Sequence, residues 1–322
     1  MQTTIVIPNY NGMYFLEDCL KTLTADISSF GASVMIVDNG SEDGSVQWIK
    51  SNYPRVRLIT LPENTGFCKA VNVGIKAAQT PYVILLNNDT KVKFGFTKAL
   101  TRAIAASDSI FSVSAKMLDM KNDTIIDNAG DLYTALGWAF ARGKGKKADE
   151  WNKSAHVFSA CGGASIYRKE VIEKLGYFDE NHFAYLEDVD IGWRARIFGY
   201  TNLYEPKAQV LHAGSAVSGS RYNRFKVGLS SANSVYIIGK NMPLLQILIN
   251  LPFLLLGFLI KTLFFTLKGM GLTYIHGCLQ GLKRCFTSEG RKHKVKFQFS
   301  HLGNYTRLQL ELWWNMVLRI VG

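Results

Sequence analysis

The sequence predicts an α/β fold followed by a helical, apolar and basic C-terminal region. Two observations support the α/β part. Short β-type apolar runs alternate with helical stretches from Thr3 to Asp89, and several runs stop abruptly in Asn, Asp or Gly. A third supports the tail: past residue 222 the chain turns polar and aromatic, then strongly apolar, then basic. The expected boundaries are 1–222 for the α/β domain and 223–322 for the helical region.

The elements follow in order. Ile5-Val6-Ile7 reads as the first strand and Leu16 to Leu23 as the helix after it. Val34 to Val37 is a second strand, Ser45 to Ser51 a helix, and Val56 to Thr60 a third strand. Cys68 to Ala78 is helical, and Tyr82 to Leu86 is a fourth strand running directly into Asn87-Asn88-Asp89. Polar residues thus gather at the carboxyl ends of strands, the edge where open α/β sheets bind ligands. Arg142-Gly143-Lys144-Gly145-Lys146-Lys147 reads as a solvated, mobile surface loop. The second half of the domain is expected to run from Ser159 to about Gly219.

At 322 residues, two units are expected from the usual ~100–200 residues per domain. A hydrophobic fraction of 48% against 19% charged residues excludes a disordered chain. The five cysteines are scattered, with no CxxC pair, which argues against a zinc site or a disulfide framework. Thr3 to Ile7 is strand-like rather than a basic and then apolar leader, so residence on the cytosolic side is expected. Of the net +12, residues 261–322 carry ten basic side chains against two acidic ones. Beside an apolar stretch, such a tail points to an anionic membrane surface rather than to nucleic acid.

Four constellations bear on chemistry. Asp38, directly after the second strand, can accept hydrogen bonds from a base or ribose, while Asp43 or Ser45 suits the cap of the next helix. Asn64-Thr65-Gly66 opens a helix whose amides suit an anion, with Lys69 adding charge. Asn87-Asn88-Asp89 offers oxygen ligands to a hard cation such as Mg²⁺ or Mn²⁺, which takes its remaining ligands from water and substrate phosphates. Alone it would be an ordinary turn. Glu187, Asp188 and Asp190 crowd three carboxylates that repel unless a cation, Arg194 or a substrate offsets them. One of them can act as general base on a hydroxyl, and the others suit a helix start, with Trp193 packing inward. His212, at the end of an apolar run, carries little weight alone. The absence of GxGxxG and GxxxxGK[ST] weakens dehydrogenase and P-loop readings.

Taken in order, IVIPNYNG, VDNGSEDGS, ENTGFCKAVNVGI, LLNNDT, CGGASIYRKEVIEKLGYFDE, LEDVDIGWR and LHAGS resemble family 2 glycosyltransferases, closest to rhamnosyltransferase-like bacterial members. The resemblance covers Ile5 to about Ser218. It implies a GT-A fold, a Rossmann-like nucleotide-binding sheet with mixed strands on the acceptor side. It implies a nucleotide-sugar donor (dTDP- or UDP-linked) contacted by Pro8, Asn9, Tyr10, Asp38, Asn64, Lys69 and Asn88. Asp89 matches the last Asp of the DxD-type metal motif, and Asn87 replaces the first. Asp188 matches the catalytic base, and His212 a histidine that helps to hold the metal or diphosphate. Cys161-Gly162-Gly163-Ala164 matches the floor of the sugar sites. The implied reaction is a metal-dependent inverting transfer, with dTDP-rhamnose one candidate donor and a lipid-linked or glycan acceptor.

Leu244 to Ile260 carries no charge and spans about 25 Å as a helix, short of the ~30 Å hydrocarbon core. Asn250 and Pro252 interrupt it, and Lys261 is expected to end it. A single crossing would put the basic tail outside, against the positive-inside tendency. Leu263 to Leu282, with Lys268 and His276, makes a poor second span. Peripheral or monotopic attachment to the cytoplasmic face is therefore expected, with a buried helix or a homodimer contact as the competing account. Two other functions compete with glycosyl transfer. A nucleotidyltransferase would normally place a Gly- and Arg/Lys-rich loop where Asn9-Tyr10-Asn11-Gly12 stands. A non-catalytic membrane-bound scaffold would not need Asp89, Asp188 and His212 together.

Overall fold

The computed structural model describes residues 2–28, 30–214 and 222–321; Ser215 of the LHAGS segment and the expected ends near Ser218 and Gly219 lie outside them. The four expected strands are β1 (Thr3–Asn9), β2 (Ser33–Asp38), β3 (Arg57–Thr60) and β4 (Tyr82–Leu86), all parallel. They alternate with α1 (Met13–Ile27), α2 (Ser45–Asn52) and α3 (Phe67–Ala77). Ile5, Val6 and Ile7 are fully buried, because the strand is covered on both faces as a central parallel strand must be.

The sheet then becomes mixed. After β5 (Thr90–Val92) and α4 (Phe96–Ala105) come β6 (Ile110–Asp119) and β7 (Asn122–Asn128). The hairpin β8 (Asp131–Tyr133) and β9 (Ala139–Ala141) stands apart. Then β10 (Ala155–Val157), β11 (Ala164–Arg168), α5 (Lys169–Leu175), α6 (Glu187–Ile197) and β12 (Thr201–His212) complete the domain. The strand order is β10-β12-β6-β11-β4-β1-β2-β3, with β5 paired to β12 and β7 to β6. β11 runs antiparallel to both β4 and β6, so the nucleotide-binding type of half-sheet meets a mixed half at β4. Asn87-Asn88-Asp89 leaves the sheet at that junction.

The C-terminal region is helical: α7 (Arg224–Asn241), α8 (Leu244–Leu267), α9 (Gly271–Phe286), α10 (Ser288–Lys292) and α11 (Leu302–Val321). These helices share a core with the sheet domain, in which Ile237, Leu308 and Leu312 pack with Tyr133, Phe158 and Trp193. α9 crosses α7 closely at Gly281, where a Cβ would lie 2.1 Å from the Ala232 carbonyl oxygen.

Lys261 does not end the apolar helix. α8 continues to Leu267, a turn follows at 268–270, and α9 returns as a separate, amphipathic helix. Lys261 is accommodated by lying over the Trp138 ring, its Nζ 5.6 Å from the centroid. Asn250 is no interruption either: it is fully buried and exchanges hydrogen bonds with Gln309 at 2.8 and 2.9 Å, fastening α8 to α11. Those bonds remove the penalty of a carboxamide in an apolar helix.

Candidate functional site

A cleft of about 730 Å³ opens at the carboxyl ends of β1 and β4. Its lining includes Pro8, Asn9, Tyr10, Asn64, Asn88, Asp89, Asp188 and His212. Asn9 organises one wall. Its Nδ2 donates to Asp38 Oδ1 at 2.8 Å and to Ser45 Oγ at 3.0 Å, while its Oδ1 accepts from Asn88 Nδ2 at 2.8 Å. Three strand ends are thereby locked through one carboxamide.

Two expected contacts fall elsewhere. Asp38 is 1% exposed and absent from the lining, its carboxylate taken up by Asn9 and by the Ser41 amide at 3.0 Å. Its neighbour Asn39 faces the cleft instead, holding Asn64 Oδ1 at 2.9 Å and the Thr65 amide. Lys69 is exposed on α3 and also outside the lining. The start of α3 is no open anion seat. Its Cys68 amide donates to the Phe183 carbonyl, and Phe183 packs so tightly on Gly66 (φ +88°) that a Cβ there would meet the ring at 2.6 Å.

Asp89 and His212 are brought together by strand pairing. Thr90 opposes His212 across β5 and β12, and the Ala213 amide donates to the Asp89 carbonyl at 3.0 Å. His212 Nε2 then stands 3.4 Å from Asp89 Oδ1, a buried oxygen with no hydrogen-bond partner. An orphaned buried carboxylate oxygen is costly unless something is to bind it. One carboxylate oxygen and one imidazole nitrogen suit a divalent cation such as Mn²⁺, and at ~2.0–2.2 Å per ligand bond both can reach the same ion. Asn88 is committed to Asn9, while Asn87 also lines the cleft. Behind His212, Asp127 Oδ2 meets Nδ1 at 2.7 Å. Burial lowers the affinity of this histidine for a proton, but the Asp127 hydrogen bond and the Asp89 carboxylate outweigh it and raise its pKa to about 9.

The three carboxylates of α6 separate by environment. Asp190 is buried with Arg194 at 2.7 Å and Lys240 at 2.9 Å, which against the cost of burial hold it far below the usual carboxylate range. Asp188 lines the cleft, its oxygens taking the Val189 amide at 2.8 Å and the Gly162 amide at 2.9 Å. Burial raises its pKa despite those two donors. Glu187 also lines the cleft, with Oε2 unpartnered, and burial and then the Asp188 charge push its pKa well up. Trp193 packs inward, fully buried.

The loop before α6 is strained. Phe183, Tyr185 and Leu186 all have left-handed φ, at 59°, 69° and 67°. Asn233 of α7 holds it, donating from Nδ2 to the carbonyls of His182, Ala184 and Tyr185 at 2.9, 2.9 and 2.8 Å.

A second cluster joins Asp131, Cys161 and Asp188, with ligand atoms within 4.8 Å of one another. Burial pushes the Cys161 thiol well up, which keeps it protonated, and a thiol does not suit a hard cation. Asp89 with His212 is the better donor set. Asn39 lies within VDNGSEDGS without having been singled out, while Asp127, Asp131 and Asn233 gave no signal in the sequence beyond single polar residues.

Residues 4–176, just over half of the chain, match the family model described as glycosyl transferase family 2. The chain belongs to that family. Among curated relatives of this family 2 glycosyltransferase, it is 29% identical over 231 residues to the N-acetylglucosaminyl-diphospho-decaprenol L-rhamnosyltransferase of Mycobacterium tuberculosis, covering 65% of this chain and 75% of that one. It is 25% identical over 208 residues to the poly-beta-1,6-N-acetyl-D-glucosamine synthase of Staphylococcus aureus, covering 64% of this chain and 48% of that one. The fold is GT-A. It is similar to GalNAc-T7 solved with UDP, GalNAc and Mn²⁺ (TM-score 0.60, 15% identity, 74% of this chain and 48% of the other). It is also similar to a mannosyltransferase of Pyrobaculum calidifontis solved with GDP-Man and Mn²⁺ (TM-score 0.55, 17% identity, 87% of each chain).

Proposed function

We propose that this glycosyltransferase moves a sugar from a nucleoside-diphosphate donor to a lipid-linked acceptor, with inversion, at the cytoplasmic face of a membrane. The observation that carries it is the facing of Asp188 and the Asp89–His212 pair within one cleft, one able to take a proton and the other able to hold a cation. Pro8, Asn9, Tyr10, Asn64 and Asn88 wall the donor side, and Cys161-Gly162-Gly163 floors the sugar site. A divalent cation on Asp89 and His212 would neutralise the charge growing on the departing diphosphate. Asp188 takes the proton of the acceptor hydroxyl while that oxygen forms its bond to the anomeric carbon. The bond from that carbon to the diphosphate oxygen breaks on the opposite face, and the configuration inverts. A half-buried carboxylate with a raised pKa is suited to that proton.

The acceptor side is supported by the rim. Tyr222 and Lys226, where the helical region begins, and Phe265, near the end of α8, line the cleft, and Phe264, Leu267 and Leu272 beside Phe265 are exposed. The outward face continues along α8 through Leu245, Leu248, Leu255 and Leu259. α8 has 24 residues and a mean hydropathy of 2.1, enough to cross a membrane by length and composition alone. Peripheral seating is favoured because α9 is amphipathic and α11 exposes Trp313 and Trp314, which suit the interfacial level. The M. tuberculosis relative is named for a diphospho-decaprenol substrate, which fits a cleft mouth beside lipid.

The donor is tested by thermal stabilisation with dTDP-, UDP- and GDP-sugars, each with and without Mn²⁺. A cation-dependent shift with one base class is expected, dTDP-rhamnose being the first candidate. No shift with any donor would defeat the proposal.

A further inference from the structure

We propose that Asp127 is the positioning residue of the cation site: it fixes which nitrogen of His212 carries the proton and aims the other beside Asp89. This rests on the reading of Asp89 and His212 as cation ligands. Asp127 lies near the end of β7, 85 residues from His212 in sequence, and reaches it because β7 and β12 flank β6 on opposite sides. The contact is short, Oδ2 to Nδ1 at 2.7 Å, and both side chains are nearly enclosed, 13% and 14% exposed. A carboxylate only accepts, so Nδ1 keeps its proton, and Nε2 is the nitrogen whose proton a cation would displace to bind its lone pair. Nε2 is the atom that stands 3.4 Å from the orphaned Asp89 oxygen.

The second oxygen of Asp127 is also fixed. Lys144 Nζ meets Oδ1 at 2.5 Å from the Gly143–Gly145 loop, so this segment is not simply a solvated loop: its lysine lines the cleft and orients the carboxylate. Two donors converge on Asp127, Lys144 at Oδ1 and His212 Nδ1 at Oδ2, and the remaining imidazole nitrogen faces the Asp89 oxygen in the cleft. A carboxylate behind a ligating imidazole both sets the tautomer and raises ligand basicity.

The isosteric variant Asp127→Asn tests the proposal. Lys144 can only donate, so it claims the single amide oxygen and turns the amide nitrogen toward Nδ1. The histidine proton is then forced onto Nε2, against the cation. Mn²⁺ affinity is read on the full chain by the loss of the free-ion EPR signal, with UDP and with dTDP as probes. Asp127→Asn and Asp127→Ala are each expected to weaken Mn²⁺ by about 10- to 100-fold. In the Mg²⁺-loaded wild type, nitrogen NMR of His212 should place the ring proton on Nδ1. Wild-type Mn²⁺ affinity in Asp127→Asn, or a ring proton absent from Nδ1, overturns the proposal. If the wild-type protein itself bound no Mn²⁺ with either nucleotide, the cation reading would fail instead, so the two failures are distinguishable. Should neither variant fold, the NMR measurement on the wild type decides.

Discussion

The Nδ2 of Asn233 donates to the Tyr185 carbonyl at 2.8 Å, joining a helix of the C-terminal region to the strained loop that presents Glu187 and Asp188. Fully buried, it also serves the carbonyls of His182 and Ala184 and receives Arg284 Nη1 at 2.8 Å on its own oxygen. Left-handed φ at three side-chain-bearing residues persists only when the surroundings over-determine it. In Asn233→Ala the carbonyls lose their donor, at about 1–3 kcal/mol, and the loop is free to relax. A displacement of about 1 Å at a reacting group costs on the order of 100-fold in rate. The expected outcome is a fall in kcat well beyond any rise in donor KM. Equal changes in both would show that Asn233 serves donor binding instead.

Asp188→Asn should lower turnover by about 10²–10⁴-fold, the usual contribution of a general base, while leaving donor binding nearly intact. Asp89→Ala should do the reverse, removing the Mn²⁺ dependence of donor binding measured by calorimetry. Turnover near wild type in Asp188→Asn would mean that the base has been misassigned.

The pH profile of kcat/KM follows from the raised pKa of Asp188. A base works unprotonated, so activity must rise with pH as its carboxyl loses its proton. Burial moves that step above the ordinary 3.8, and the acid limb should lie correspondingly higher. An acid limb at or below 3.8 would contradict burial of the reacting carboxylate.

Stability has its own acid limb. Lys240 Nζ lies 2.7 Å from Asp179 and 2.9 Å from Asp190, all three nearly inaccessible. Against the upward push of burial, Lys240 holds Asp179 down at about 2. Folded-state pKa values below the unfolded value of about 3.9 mean stability that is complete above pH 4 and lost as pH falls toward 2. Thermal midpoints should therefore drop steeply between about pH 4 and pH 2. Lys240→Met leaves two buried carboxylates short of a cation and should cost about 3–5 kcal/mol at neutral pH. A midpoint unmoved by that substitution would show that Arg194 alone suffices.

The parallel half of the sheet was legible in the sequence because β1 to β4 each carry a short apolar run with polar stops. The place of Asp89 and Asp188 in the cleft was legible because Asn87-Asn88-Asp89 directly follows such a run and Asp188 opens a helix in a carboxylate cluster. Asp38 was misread for a reason of side-chain direction: Asp38 and Asn39 are adjacent at a strand end, and alternation turns one inward and the other into the cleft. Lys261 reads as a helix stop in one dimension, yet α8 continues past it and its ammonium lies over the Trp138 ring. Asp127 and Asn233 stayed silent because their roles arise from pairings 85 and 48 residues apart. No local pattern encodes that separation.

The apolar face of α8 gives the last prediction. Leu255 and Leu259 are 63% and 55% exposed and stand one turn apart, with Leu245 and Leu248 on the same helix. Each leucine is worth about 1.5–3 kcal/mol when removed from water, so burying the pair in an interface is worth about 100-fold in partitioning at the lower bound. Leu255→Gln with Leu259→Gln should thus release the protein from vesicles containing anionic lipid in a flotation assay, with soluble donor binding preserved. The ten basic residues from Lys261 onward add an electrostatic share that salt should weaken, because exposed charges are screened within about 10 Å at 0.1 M. Retention of the double variant on vesicles at both low and high salt would place the membrane contact on another face, and a shift from dimer to monomer would mark this face as one that pairs with a second copy.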